Sequence, residues 1–252
     1  MKSSDRLFTG RSENYSKFRP SYPVGIVKML TDKYGLKKEM VIADIGCGTG
    51  ILARMFLENG NKVYCIDPNG EMLKFAKDEL SSFGNAIIVR GSAENTGLED
   101  HSVNVISAGQ SFHWFDTDKA KVEFRRILTA PYMVVLIWND RDIDDGFTAE
   151  YEKIVSAYGK NYQGTGSTGL PPDTIPQFFN WAYDYYQYQN YQELDLEGLK
   201  GRYLSTFYSI TQEYPKFQAA MKALETAFNA FSVDGKVRIR YITKVFVGKL
   251  NP

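Results

Sequence analysis

The chain has 252 residues, 43% of them hydrophobic and 24% charged, enough to bury a full core in one α/β domain spanning 1–252. Thirty Lys and Arg balance thirty Asp and Glu, so no net field draws the protein onto nucleic acid or an anionic membrane, and neither is expected as a partner. Two cysteines, Cys47 and Cys65, make no disulfide framework, and the two histidines, His101 and His113, lack metal-ligand spacing. With no apolar run of spanning length and no signal-peptide core at the start, the expected setting is cytoplasmic, with no metal.

Residues 1–35 read as an N-terminal lid. Tyr15, Phe18, Arg19 and Tyr22 sit in a polar arm whose Pro20 and Pro23 resist a regular element, and a helix follows over 24–34. From Val41 strands and helices alternate. The first strand, 41–45, runs into a helix over 51–59 with Ile51, Leu52, Met55 and Phe56 on one face. A second strand over 62–66 ends at Asp67, and Asn69 is placed to cap the next helix. Strands over 86–89 and 103–108, a helix over 116–128 and an almost wholly apolar strand over 132–138 complete a parallel series. The alternation then breaks. Residues 140–195 read as an irregular, partly helical insertion covering a substrate. A strand near 200–208, a helix over 214–231 and a long alternating strand over 236–247 close the chain. The last strand is expected to insert antiparallel beside its neighbour.

The strand 41–45 carries Asp44 and leads into Gly46, Gly48 and Gly50. Glycines there allow positive φ and let a ligand approach the main chain, while unpaired N–H groups of the following helix face an anionic group. Asp67, at the carboxyl end of the next strand, is placed to accept ribose hydroxyls, and Ser92, Ala93 and Glu94 lie where an adenine edge would dock. Gly48 to Ala53 also fits G-x-G-x-x-A, so a dinucleotide competes. Asp44 decides against it: a carboxylate is unfavourable beside a pyrophosphate and helpful beside an ammonium, pointing to an adenosine cofactor with a methionine end. A second G-x-G-x-x-G, at Gly164, Gly166 and Gly169, follows no strand and reads as a surface loop.

These residues, with Gly91–Asn95, Leu98–Ile106, Gly109–Asp116 (GQSFHWFD), Ile137–Asp142 (IWNDRD) and the arm Tyr15–Pro23, resemble the class I S-adenosylmethionine-dependent methyltransferases. More narrowly, the chain resembles the type 11 group that includes trans-aconitate methyltransferase-like proteins. The resemblance implies a Rossmann-like seven-stranded sheet, mostly parallel with an antiparallel last strand. It implies Asp44, Gly46, Cys47 and Gly48 around the methionine end, Asp67 on the ribose, and Pro68 and Met72 flanking the adenine. Ala93 and Glu94 would meet the adenine edge, and Gln110 would lie near the methionyl group. S-adenosyl-L-methionine would be cofactor and S-adenosyl-L-homocysteine product.

Methyl transfer from a sulfonium is an in-line displacement, so positioning and water exclusion carry much of the catalysis. A small carboxylate acceptor needs no general base, whereas a base can assist a phenol, alcohol or amine. His113 is the histidine at the crevice mouth and the candidate base, although packing with Trp114 and Phe115 as a lid is the favoured reading. Arg19 or Arg141 would hold an acidic acceptor, and Tyr15 belongs to the lid. The Tyr-rich run 181–191 would line an acceptor pocket or simply pack. Asp140, Asp142, Asp144 and Asp145 lack the pattern of a calcium loop and read as a solvated acidic turn. The expected function is methyl transfer to a small molecule, with an RNA or protein methyltransferase, or a cofactor-binding protein without turnover, as rivals.

Overall fold

Helix α1 (Gly25–Tyr34) ends where Gly35, at φ 68°, returns its N–H to Leu30 and Thr31. It leads into β1 (Val41–Ile45), α2 (Ile51–Glu58), β2 (Lys62–Asp67), α3 (Gly70–Glu79), β3 (Ala86–Arg90) and β4 (Val103–Gly109). A single 3₁₀ turn, Phe112–Trp114, precedes α4 (Thr117–Ile127) and β5 (Leu128–Arg141). Then follow α5 (Gly146–Tyr158), α6 (Thr174–Phe178), β6 (Tyr183–Leu194), α7 (Leu196–Leu204), α8 (Phe217–Phe231) and β7 (Val237–Lys249). This computed structural model describes residues 17–160, 162, 170–206, 210 and 213–251.

The seven strands form one sheet in the order β3-β2-β1-β4-β5-β7-β6. Strands β1 to β5 pair in parallel, and β7 enters antiparallel between β5 and β6. The order reverses beside β1, so the carboxyl ends of β1 and β4 flank the crevice where open α/β sheets bind ligands. Asn69, Asp116, Asp145 and Asp195 each cap a helix, accepting N–H groups of its first turn. One sheet face buries Ile42, Val105, Val135 and Ile137 under α1 and α2. The other buries Ile45, Ile106, Leu136 and Trp138 under α4 and α6. A third cluster joins α5, α7 and α8 to the first half of β7 through Tyr151, Tyr203, Leu224 and Ile239. Among the described residues, no helix is long and apolar enough to cross a membrane.

Two expectations along the chain need correction. The strand expected near 200–208 is helix α7: Asp195 Oδ1 accepts the Gly198 N–H at 2.7 Å, and Leu199 and Tyr203, one turn apart, are fully buried. An Asp followed by Glu197 in the first turn is a helix-start signature, and aromatic content masked it. Part of the span 140–195 is no insertion at all, because Tyr183–Leu194 is the sheet-edge strand β6. Its tyrosines and glutamines are half-exposed on both faces, which blurs the apolar alternation that marks a strand.

Candidate active site

The turn after β1 is built from three left-handed glycines, Gly46 at φ 68°, Gly48 at 56° and Gly50 at 88°. The Gly46 and Cys47 N–H groups both donate to the Ile66 carbonyl, at 2.8 and 3.0 Å, which folds the turn back over β2. Gly46 also has no room for a side chain: a Cβ there would lie 2.5 Å from that of Ser111. The Ser111 hydroxyl donates to the Ile45 carbonyl at 2.7 Å, so the loop after β4 is tied to the end of β1. Gly50 is the N-cap of α2 with no side-chain cap, leaving first-turn N–H groups for a ligand.

Beneath this turn Asp44 is 1% exposed. Its Oδ1 accepts the Ser107 hydroxyl at 2.8 Å, while Oδ2 is buried with no hydrogen-bond partner. Burial pushes the carboxyl up to about 7, only partly offset by Ser107 and by the Ala53 N–H, which points at it from α2 without closing a bond on Oδ2. An orphaned buried carboxylate oxygen is costly unless a ligand donor meets it. The donor set of an ammonium meets that demand, and a pyrophosphate does not.

Asp67 lies at the end of β2, where its two oxygens accept main-chain N–H groups, Oδ2 from Gly48 at 2.9 Å and Oδ1 from Asn69 at 2.8 Å. Each carboxylate oxygen can take a second donor, so the ribose role assigned to Asp67 coexists with this brace. Pro68 follows directly, its carbonyl accepting Arg90 Nε at 3.3 Å, and Met72 is buried in the first turn of α3. Beyond β3, Ser92 and Asn95 close a small bridge and Ala93 is buried. Glu94 is turned to α4, where its Oε1 accepts the Asp116 N–H at 2.9 Å. All these residues lie at or just beyond the carboxyl ends of β1, β2 and β3. Cys47 and Cys65 are free and buried, and Cys47 is held well above the usual thiol range by hydrogen bonding with the Cys65 thiol and by burial.

On the other side, Gln110 takes φ 56° and donates Nε2 to the Asn139 carbonyl at 3.1 Å. His113 packs against Trp114 with ring centroids 4.8 Å apart, and its Nδ1 is buried without a partner. Burial lowers it to about 4, against the pull of the Asp140 carboxylate. Asp140 is not the solvated residue expected: it is 7% exposed and meets Lys244 Nζ at 2.8 Å. Arg141 is likewise spent inward, its Nε 2.6 Å from Glu152 and its NH2 2.7 Å from the Tyr162 hydroxyl, so it is no acceptor fork. Asp145 caps α5 and pairs with Arg240, and no metal-holding cluster occurs among the described residues.

The arm crosses above the sheet. Arg19 donates to the Ser205 carbonyl at 3.0 Å, and Tyr22 is buried. Tyr15 and the loop glycines Gly164, Gly166 and Gly169 lie outside the described residues. The Tyr-rich run divides by strand alternation. Tyr183 and Tyr185 line a cavity of about 330 Å³ with Phe246, Lys244 and three prolines, Tyr186 meets Tyr34 of α1, and Trp181 and Tyr191 are exposed. Sequence reasoning missed Ser107, Ser111, Asn139 and Thr243. Asn139 and Ser111 stood within the segments IWNDRD and GQSFHWFD, but nothing local marked Ser107 or Thr243.

Residues 43–131 match the family model for a methyltransferase domain. An uncharacterized methyltransferase-like protein of Schizosaccharomyces pombe is 32% identical over 171 residues, covering 68% of this chain and 60% of that protein. An uncharacterized methyltransferase of Mycobacterium bovis is 32% identical over 145 residues, covering 58% and 57%. The chain therefore spans less than two thirds of the length of these curated relatives. Among solved structures, a proposed type II methyltransferase from Anaeromyxobacter dehalogenans superposes with a TM-score of 0.64 at 18% identity, covering 93% of this chain and 99% of that one. Residues 43–131 therefore carry a methyltransferase domain, set in a sheet whose order and superposition give the chain the fold of that solved methyltransferase.

Proposed function

We propose that the protein transfers a methyl group from S-adenosyl-L-methionine to a small-molecule acceptor. The observation that carries this is the buried Asp44 carboxylate, unpartnered at Oδ2, beneath a turn of three left-handed glycines at the start of α2. Asp44 neutralises the cofactor ammonium, and first-turn N–H groups of α2 with Gly46, Cys47, Gly48 and Gly50 take its carboxylate. Asp67 accepts the ribose hydroxyls, Pro68 and Met72 flank the adenine, and Ser92, Ala93 and Glu94 border its edge. Gln110, pinned by Asn139, faces the methionyl chain. When bound, the cofactor supplies a sulfonium methyl for in-line displacement.

What this chain adds is orientation and exclusion of water by the arm and by the His113–Trp114 turn. A carboxylate is the acceptor class we favour, because His113 at about 4 is a feeble base and a carboxylate nucleophile needs none. Arg19 and Tyr15 are the arm residues proposed to meet it. Balanced charge supports an acceptor other than nucleic acid, with no membrane partner, and free Cys47 and Cys65 suit a cytoplasmic setting.

Calorimetry with S-adenosyl-L-homocysteine and a radiolabelled methyl-transfer screen over small carboxylates, phenols and amines test the proposal. Binding plus transfer to a carboxylate is expected. Binding of a nicotinamide dinucleotide instead would overturn the cofactor assignment, and binding without transfer to any class would leave a cofactor-binding protein.

A further inference from the structure

The last residue of β4, Gly109, ends against the arm. A Cβ there would lie 2.6 Å from the Tyr22 hydroxyl and 3.0 Å from Leu52 Cδ2. The hydroxyl of a residue far away in sequence is thus delivered to the point where the end of β4 meets the first turn of α2. Ser107, the partner of Asp44, stands one alternation earlier on the same strand, and Gln110 follows directly.

Tyr22 reaches this point because the residue before it is held by its carbonyl. Ser21 accepts Asn139 Nδ2 at 3.1 Å and Asn190 Nδ2 at 2.8 Å. Asn139 is oriented in turn by the Thr243 hydroxyl, which donates to its Oδ1 at 2.6 Å. A second rung, Gln192 Nε2 to the Phe18 carbonyl at 2.9 Å, sits further along β6. Phe18 itself is pressed onto α7, where a Cβ on Gly201 would come within 2.3 Å of its ring. Two strands therefore each supply an amide to one carbonyl of the arm, Asn139 from β5 and Asn190 from β6, while Thr243 of β7 orients the first of them. Asn139 is buried, and a buried amide costs desolvation unless its bonds are met, as they are here by Ser21 and Thr243.

We propose that the Tyr22 hydroxyl hydrogen-bonds the amino-acid end of the cofactor, and that Asn139 is the positioning residue that sets it there through Ser21. The inference rests on the cofactor reading above and extends it to a part of the chain that reading left as a general lid. Hydroxyl and α2 N-terminus then approach the same charged end from two sides. A hydroxyl bond to a charged group is among the stronger hydrogen bonds a protein makes.

Calorimetry with two probes tests this without any acceptor. S-adenosyl-L-homocysteine carries the amino-acid end; 5′-methylthioadenosine lacks it and keeps the adenosine. Tyr22→Phe should weaken S-adenosyl-L-homocysteine about tenfold and leave methylthioadenosine within about twofold. Asn139→Ala should do the same, and the double variant should be no weaker than the single ones, as for residues acting through one contact. Equal losses for both probes would show mere structural damage and overturn the proposal, as would unchanged S-adenosyl-L-homocysteine affinity in Tyr22→Phe. Should Asn139→Ala fail to fold, Asn190→Ser serves as the strap variant with the same two outcomes. Failure of the unaltered protein to bind either probe would strike the cofactor reading instead.

Discussion

Asp67 braces the glycine turn through Gly48: the main-chain N–H of Gly48 donates to Asp67 Oδ2 at 2.9 Å, across the gap between β1 and β2. A side chain expected to serve a ligand therefore also shapes the turn that serves it. Removing the carboxylate in Asp67→Ala strands this N–H and that of Asn69, each worth roughly 1–3 kcal/mol when buried and unmet. Binding of S-adenosyl-L-homocysteine should fall by more than a hundredfold in calorimetry, with a lowered melting temperature. Near-normal affinity would show the ribose site to be elsewhere.

Asp44 makes the cofactor-free protein pH-dependent. Its carboxyl stands at about 7 in the folded chain against an ordinary 3.8, because of burial. Between those values the unfolded chain has lost a proton that the folded chain keeps, so stability falls as pH rises from about 4 to about 7 and levels off above. Asp44→Asn should flatten that slope in thermal melts. Cofactor affinity should run the other way, rising from about pH 6 to pH 8 as the carboxylate forms beside the ligand ammonium, and losing this dependence in the Asn variant.

For His113 the sign is opposite. Burial lowers it from 6.5 to about 4, so its stabilising contribution is present above about 6.5 and is lost as pH falls toward 4. His113→Asn should resist acid better than the parent over that window. It should leave S-adenosyl-L-homocysteine affinity within about twofold, since no cofactor contact is assigned to it. Once an acceptor is identified, unchanged turnover in this variant would remove His113 as a base.

Gly46 and Gly35 share φ 68°, yet their substitutions should differ. Gly35 has open space where a Cβ would go, so Gly35→Ala carries only left-handed strain of about 1–2 kcal/mol. At Gly46 the new Cβ meets that of Ser111 at 2.5 Å, so the loop before His113 must shift. Gly46→Ala should therefore abolish cofactor binding, whereas Gly35→Ala lowers the melting temperature and binds normally. Equal binding losses in the two variants would show that strain alone matters.

The parts of the fold legible beforehand are those governed by local rules. Apolar strands such as Val103–Gly109, the caps Asn69, Asp116, Asp145 and Asp195, and glycines at 46, 48 and 50 follow from propensity, capping and positive φ within a few residues. Strand β6 was not legible, because Tyr and Gln at half-buried edge positions carry little contrast between faces. Arg141 looked available because its partner Glu152 sits on another element, and burial reverses the reading of an arginine that sequence alone would leave in water.

From the sequence by itself came the proposed cofactor crevice: its strands, its turn, Asp44 before it and Asp67 after it, all set by short-range geometry around one chain reversal. Only the tertiary structure decided which part of the arm lies against the end of β4. Ser21 is held by Asn139 and Asn190, and Tyr22 is set on Gly109, by bonds and contacts between residues 87 or more positions apart. Such pairings are chosen by the packing of whole elements, and no local pattern encodes them.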